Sequence, residues 1–208
     1  MLSQLTERYP VLCQNEKDIK AATEIIVSCF EKGGKLLLCG NGGSAADCEH
    51  ISGELMKGFL KKRPLCEKKK AEMKSLCPEL EDEITDKLQE GLPAISLAHL
   101  TGLNTAFSND VDAELVYAQS LMALGKKGDV LFCLSTSGNA KNVIAAAKVA
   151  RGLGISVISL TGKNGGGVKA LSDVCICLPE TETYKVQELC LPVYHCICAE
   201  IEEHFFKE

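Results

Sequence analysis

LLLCGNGGSAADCEHISGEL, residues 36–55, runs from an apolar strand through a glycine turn into a helix that carries His50 and Glu54 four positions apart. Residues at i and i+4 share one helix face, so both side chains can point into the crevice at the strand's end. Gly40-Asn41-Gly42-Gly43-Ser44-Ala45 matches G-x-G-x-x-A, the dinucleotide fingerprint, and it stands between strand and helix as that fingerprint requires. A dinucleotide site also needs an acidic residue about twenty positions on to hold the ribose hydroxyls. Leu60-Lys61-Lys62-Arg63 occupies that region and the next strand waits until Ala94, so the turn chemistry stands and the dinucleotide reading does not.

Working outward from this stretch, the same kind of apolar run recurs. LLLC (36–39), AISL (94–97), VLFCL (130–134), VISL (157–160) and VCICL (174–178) are each as short and continuous as strands buried on both faces of a parallel sheet. Helical stretches between them, such as Asn142 to Arg151, imply right-handed crossovers and a sheet sandwiched by helices. The fold class is therefore α/β, a doubly wound parallel sheet, and ligands of such sheets bind at the carboxyl ends of the strands.

Ahead of the first strand lies a helical region, residues 1–33. Asn15 is placed to cap a helix running to about Lys32, with Ile19, Ala22, Ile25, Ile26 and Phe30 at helical spacing before Gly33-Gly34 ends it. The last element, Tyr184 to about Phe206, holds Pro192 in its interior and is expected to kink near Glu188. Lys61 to Gly91 breaks the strand–helix rhythm. It starts basic, ends acidic and is interrupted by Pro64 and Pro78, which predicts a mostly helical, solvated insertion into a single domain spanning 1–208.

Composition narrows the function. With 208 residues, of which 46% are hydrophobic, the chain suits one well-packed domain, and its net charge of −5 lacks the basic footprint of a nucleic-acid partner. The first twenty residues lack a basic segment followed by an apolar one, and no apolar run approaches a membrane span, which predicts a cytoplasmic protein without a membrane partner. Twelve cysteines could suggest a disulfide framework, but most sit inside apolar runs, where free cysteine behaves as a small hydrophobe. Cys175/Cys177 and Cys196/Cys198 are C-x-C pairs without finger-like spacing, so no cysteine-zinc site is expected.

A small-molecule ligand remains, and a second loop suggests its chemistry. Ser135-Thr136-Ser137-Gly138-Asn139 follows VLFCL and precedes a helix starting near Lys141. Three hydroxyls, a flexible glycine and free helix amides can cradle a phosphate without a formal positive charge. An ordinary cap needs only one such hydroxyl. Gln187, Glu188 and His195 share the last helix, and on an ideal wheel Glu188 aligns with His195 better than Gln187 does. Asn109-Asp110 and Thr161-Gly162-Lys163 are further polar groups at element ends.

GNGGSAADCEHISGEL, FSND, STSGN, SLTGKNGG and QELCLPVYHCICAEIE, in this order, resemble the sugar-isomerase (SIS) domain family over nearly the whole chain apart from residues 61–91. The resemblance implies a five-stranded, flavodoxin-like three-layer sandwich, assembled as a homotetramer with active sites between subunits. It implies an isomerase that interconverts D-sedoheptulose 7-phosphate and D-glycero-D-manno-heptose 7-phosphate. On the matching positions, Glu54 becomes the base that shuttles a proton between the first two sugar carbons and His195 the acid or base on the oxygens. Ser135, Thr136, Ser137 and Asn139 become the phosphate loop, with Asn41, Gly42 and Ser44 closing the pocket and Asn109, Asp110 and Gln187 as further substrate contacts. Some family members hold zinc, and the matching residues are His50, Glu54, Gln187 and His195, one ion per subunit. The resemblance also admits a non-catalytic phosphosugar sensor and a regulator that binds a replication initiator. The typical regulator lacks the glutamate and final histidine that stand here as Glu54 and His195. Where the resemblance leads one to expect an arginine four residues after the glutamate stands Gly58, beside Lys57 and close to Lys61, Lys62 and Arg63, so another cation would orient the substrate.

Overall fold

The structure, a computed structural model, describes residues 1–207. Its five strands, β1 (Leu36–Cys39), β2 (Ala94–Ser96), β3 (Val130–Ser135), β4 (Ser156–Thr161) and β5 (Val174–Cys177), form one parallel sheet in the order β2-β1-β3-β4-β5. The register pairs Leu36 with Ala94 on one side and with Val130 on the other, so β1 is an interior strand and both neighbours run alongside it. β2 ends one residue before the apolar run does, because Leu97 turns into a short 3-10 segment. β3 and β4 run further than the apolar letters suggest: Ser135 and Thr161 are still paired.

Around the sheet lie α1 (Leu2–Arg8), α2 (Glu16–Glu31), α3 (Gly43–Met56), α4 (Glu67–Leu76), α5 (Asp82–Lys87), α6 (Thr101–Phe107), α7 (Val116–Leu124), α8 (Lys141–Gly152) and α9 (Thr183–Phe205). Successive strand side chains point to opposite faces, so a strand covered on both sides is apolar at every position. Leu36, Leu38, Phe132 and Leu134 join Ile26 of α2, Ile51 of α3 and Ile197 of α9 on one face. Leu37, Cys39, Leu131 and Cys133 meet Leu121 of α7 and Val143 and Ala147 of α8 on the other. All twelve cysteines are free. Burial lifts the thiol pKa of Cys29 to about 11 and of Cys190 to about 12, so both stay protonated at neutral pH. Among the described residues, no helix is long and apolar enough to cross a membrane.

One expectation is corrected. Asn15 does not cap α2 with its side chain; its Nδ2 donates to the carbonyl of Cys177 at 2.8 Å, tying the start of α2 to the end of β5. As expected of the last element, α9 holds Pro192 in its interior.

The insertion is helical and largely solvated, but its root is not. Arg63 and Glu202 are fully buried, and the guanidinium donates through Nε to Glu202 Oε1 at 2.8 Å, through Nη1 to the Leu55 carbonyl at 2.7 Å and through Nη2 to the Glu54 carbonyl at 3.2 Å. Those carbonyls lie in the last turn of α3, whose final acceptors lack partners within the helix. Arg63 is thus an internal cap for the helix that carries Glu54, not a cation offered to substrate. Glu202 in turn accepts the backbone N–H groups of Phe59 at 2.8 Å, Leu60 at 2.7 Å and Lys61 at 3.1 Å. Burial pushes the Glu202 carboxyl pKa up, yet these amides and the guanidinium outweigh it and hold it below its ordinary value.

A group whose folded pKa is depressed stabilises the fold above its unfolded pKa and loses that contribution as pH falls through the folded one. The Glu202 contribution is accordingly present at neutral pH and lost in acid. Removing one member of a buried pair leaves an uncompensated charge, so Arg63→Ala is expected to lower unfolding stability by about 3–5 kcal/mol in urea denaturation. A loss within 1 kcal/mol of zero would show that the pair is dispensable.

Candidate functional site

With the order β2-β1-β3-β4-β5, the chain leaves β1 toward one edge for β2 and crosses to the other side for β3, so the loops after β1 and β3 diverge above a crevice. The first loop turns at Gly42, whose φ of +57° belongs to the left-handed region that glycine alone adopts freely. Gly40 is equally constrained by space: an added Cβ would lie 2.9 Å from the Leu134 carbonyl oxygen of β3. Asn41 is held by a reciprocal amide pair with Asn142 of α8, both bonds 2.9 Å, and its Oδ1 accepts from the Tyr117 hydroxyl at 3.2 Å. The first loop is thus locked to the helix that follows the second. Ser44 is buried in the first turn of α3.

The second loop is shaped by its own side chains. Ser137 Oγ accepts the Asn139 N–H at 3.1 Å; Asn139 Nδ2 donates to the Ser137 carbonyl at 3.1 Å and its Oδ1 accepts the Gly167 N–H at 2.9 Å. Asn139 is therefore a brace for the loop, joining it to TGKNGGG. The glycines of that segment allow the approach: Gly138 has a φ of +67°, its carbonyl accepts the Val168 N–H at 3.0 Å, and a Cβ there would collide with the Gly165 carbonyl. What remains free is the half-buried Thr136 and the exposed Ser137, beside a small pocket shared with Lys163 and Glu180, with Ser135 buried at the end of β3.

α3 and α9 complete the crevice. His50 Nε2 lies 3.1 Å from Glu54 Oε1 and 3.5 Å from His195 Nε2, and the two imidazoles meet edge to face with centroids 5.0 Å apart. On its other side, His50 Nδ1 lies 2.9 Å from the Tyr194 hydroxyl, which reaches Asp47 Oδ1 at 3.2 Å. The second oxygen of Glu54 accepts from Lys57 Nζ at 3.1 Å. Burial, reinforced by the neighbouring His50, lowers the pKa of His195 against an opposing pull from Glu54, so the neutral imidazole is favoured. Burial raises the pKa of both Tyr194 and Asp47, and the Tyr194 hydrogen bond and His50 counter the rise in Asp47.

His50, Glu54 and His195 thus come together. Gln187 does not join them by a hydrogen bond among the described residues: its Nε2 packs on the glycine turn, 2.5 Å from where a Cβ on Gly43 would stand. Glu188, the better match on an ideal wheel, is exposed. Asn109 donates to Asp110 Oδ1 at 2.9 Å on the exposed segment Ser108–Asp112, and among the described residues neither bonds to the histidine cluster. Sequence reasoning missed Asp47, Tyr117, Asn142 and Tyr194, and named Lys57 only as a cation beside Gly58. Asp47 stands three residues before His50 on the same helix face, a signal that was available. Tyr194 gave none, since consecutive helical residues point about 100° apart and only the packing of α9 on α3 turns it toward His50.

A fold of this kind, with a hydroxyl loop and a histidine–carboxylate cluster at its switch point, has known counterparts. The family model described as SIS domain matches residues 3–90 and 88–162, and the chain belongs to the SIS-domain family. Within that family it is similar to the phosphoheptose isomerase of Roseiflexus sp. (strain RS-1), 38% identical over 190 residues that cover 91% of this chain and 83% of the relative. It also superimposes on phosphoheptose isomerase GmhA from Neisseria gonorrhoeae with a TM-score of 0.73 at 32% identity, covering 97% of this chain and 91% of the other. A phosphoheptose isomerase from Francisella tularensis gives a TM-score of 0.74 at 27% identity, covering 97% and 98%.

The loop contacts carry a test of their own. Gly138→Ala forces a left-handed backbone costing about 1–2 kcal/mol and adds the clash with Gly165, so thermal unfolding should reveal at least that loss. An unchanged melting temperature would mean that the two loops are not rigidly docked.

Proposed function

We propose that the chain is an isomerase interconverting D-sedoheptulose 7-phosphate and D-glycero-D-manno-heptose 7-phosphate through an enediol. The observation that carries this reading is the Glu54 carboxylate, 3.1 Å from His50, which in turn lies 3.5 Å from His195; the Ser135–Ser137 hydroxyls stand at the carboxyl end of β3. Family membership and the likeness to phosphoheptose isomerases over most of the chain support it. The presence of both Glu54 and His195 speaks for an enzyme over a binding module.

The chemistry follows from charge and reach. Ser135, Thr136 and Ser137, with the free amides at the start of α8, bind the phosphate, and this remote grip orients the sugar's other end. Glu54 removes the proton from the carbon beside the carbonyl and returns it to the neighbouring carbon. A single carboxylate on one face of the enediol suffices for both transfers. Lys57 Nζ pairs with the second oxygen of that carboxylate at 3.1 Å. His195, favoured as the neutral ring, can accept a proton from one sugar hydroxyl and pass it to the other oxygen.

Zinc belongs to this proposal as well. Around a zinc ion with Zn–N distances of about 2.0–2.1 Å, tetrahedral donors stand about 3.3 Å apart. The His50–Glu54 and His50–His195 separations of 3.1 and 3.5 Å match such edges. As placed, the side chains do not close into a finished coordination shell, and no other group of three or more His, Cys, Asp or Glu residues does so among the described residues. His50, Glu54, His195 and, after its amide swings away from Gly43, Gln187 would hold the ion, which supplies Lewis-acid polarisation of the sugar oxygens. We extend the proposal to a cytoplasmic homotetramer. Twelve free thiols suit a reducing compartment, and Phe59, Leu60, Leu191 and Pro192 form an apolar flank beside His195 that association would cover.

The deciding experiment incubates the protein with sedoheptulose 7-phosphate in heavy water and follows carbons 1 and 2 by NMR. Deuterium incorporation with appearance of the aldose is expected; binding without exchange would overturn the isomerase reading in favour of a sensor. Glu54→Gln should lower turnover at least 10²-fold while the sugar phosphate still binds, because general-base catalysis contributes on that order. An active variant would remove Glu54 from the mechanism. Elemental analysis should find about one zinc per chain, depleted in His50→Ala, and an active metal-free protein would refute the metal role.

A further inference from the structure

Along the four-residue chain Asp47–Tyr194–His50–Glu54, Tyr194 and a neutral His50 supply two protons for three contacts, so one contact goes without. Tyr194 has a single hydroxyl proton and stands between two acceptor-capable atoms, Asp47 Oδ1 at 3.2 Å and His50 Nδ1 at 2.9 Å. An ionised carboxylate can only accept. With the hydroxyl proton donated to Asp47, the charged acceptor, the hydroxyl oxygen accepts from His50, and a neutral His50 then has its one proton on Nδ1. Its Nε2 then presents a bare lone pair toward Glu54 Oε1 and His195 Nε2. Without the pair, the ring's natural choice is the reverse: Nε2–H donating to the Glu54 carboxylate, which ties up the proposed base and hides the imidazole lone pair.

We propose that Asp47 and Tyr194 are positioning residues that lock His50 in the Nδ1–H tautomer, aiming its Nε2 lone pair into the crevice and leaving Glu54 without a competing donor from that ring. Local structure supports the rigidity this requires. Asp47 and His50 occupy neighbouring positions on one face of α3. Tyr194 is a buried residue of α9, its ring edge to face with His50 at 5.5 Å and with His195 at 5.0 Å. Hydrogen bonding at the far nitrogen is the general means by which proteins select the free nitrogen of a ligand or catalytic histidine. Here a tyrosine stands between the carboxylate and the ring, so the carboxylate sets the direction of two successive hydrogen bonds.

The inference rests on the reading of this crevice as the isomerase site only for its consequence; the tautomer itself is a property of the protein alone. The chain has four histidines, so the His50 ring nitrogens can be assigned in protein labelled with 15N-histidine, at a pH where the ring is neutral. The wild-type spectrum should show the proton on Nδ1. In Asp47→Ala the Tyr194 hydroxyl is released to donate to Nδ1, and in Tyr194→Phe the partner is gone, so both variants should move the proton to Nε2. A purely packing role would leave the tautomer alone. Finding Nε2–H in the wild type, or no switch in Asp47→Ala, overturns the proposal, and Tyr194→Phe, which keeps the ring, serves if Asp47→Ala does not fold.

Zinc alone is the second probe, titrated against a competing chelator. Both variants should bind it about 10–100-fold more weakly than wild type, the usual effect of losing an outer-shell partner. Equal affinities in all three would overturn the positioning role. A wild type that takes up no zinc but shows the tautomer switch would uphold the device while removing the metal from the proposed function.

Discussion

Everything at the site depends on β1 being flanked by β2 on one side and β3 on the other. The crossover leaving β1 runs to β2 at one edge while the crossover leaving β3 runs the other way to β4, so the loops at the carboxyl ends of these adjacent strands part. The gap cannot be filled by backbone, because buried amides and carbonyls need partners, and it is therefore the place where side chains and a ligand can meet. Tight apposition of β1 and β3 also dictates glycine at position 40, where the Leu134 carbonyl leaves no room for a Cβ. The glycine turn and the hydroxyl loop are thus two consequences of one topological fact.

The crevice is kept in shape from below by charge. Arg63, at the root of the 61–91 insertion, bonds the last carbonyls of α3 and the Glu202 carboxylate of α9 together. The residues that meet in the site, Glu54 and His195, lie on those same two helices. A buried ion pair is weak evidence for added stability, since its desolvation offsets much of its attraction, but it fixes geometry strictly because every misaligned hydrogen bond leaves a charge unsatisfied. The insertion therefore matters at its base, whatever its solvated helices contact.

Two kinds of hydrogen bond divide the labour in the crevice. Asn139, Asn142 and Tyr117 spend their polar atoms on neighbouring loops, which makes the phosphate-end cradle rigid and leaves Thr136 and Ser137 to face outward. The histidine cluster is built differently: its polar atoms face one another at distances of 3.1 and 3.5 Å, with carboxylate and imidazole acceptors crowded into one small volume. Such crowding of acceptors suits a cation arriving there.

Strand positions, the two ligand loops and the shared face of His50 and Glu54 were legible in the sequence, because burial on both sides makes strands continuously apolar and a helix repeats every 3.6 residues. These are local rules, and they hold over four to twenty residues. Local rules also misplaced Asn15, whose side chain found the Cys177 carbonyl 162 residues away instead of the helix beside it. Arg63 read as one more cation in a basic stretch, and nothing in its neighbours announced Glu202. Tyr194 stands next to His195 in the chain yet serves His50. What the sequence alone determined was which segments form strands and helices and where the chain can turn; the partners of its buried charges and the proton direction through Asp47, Tyr194 and His50 were decided only by tertiary structure, because electrostatic and hydrogen-bond pairing depends on distance in space and not on separation along the chain.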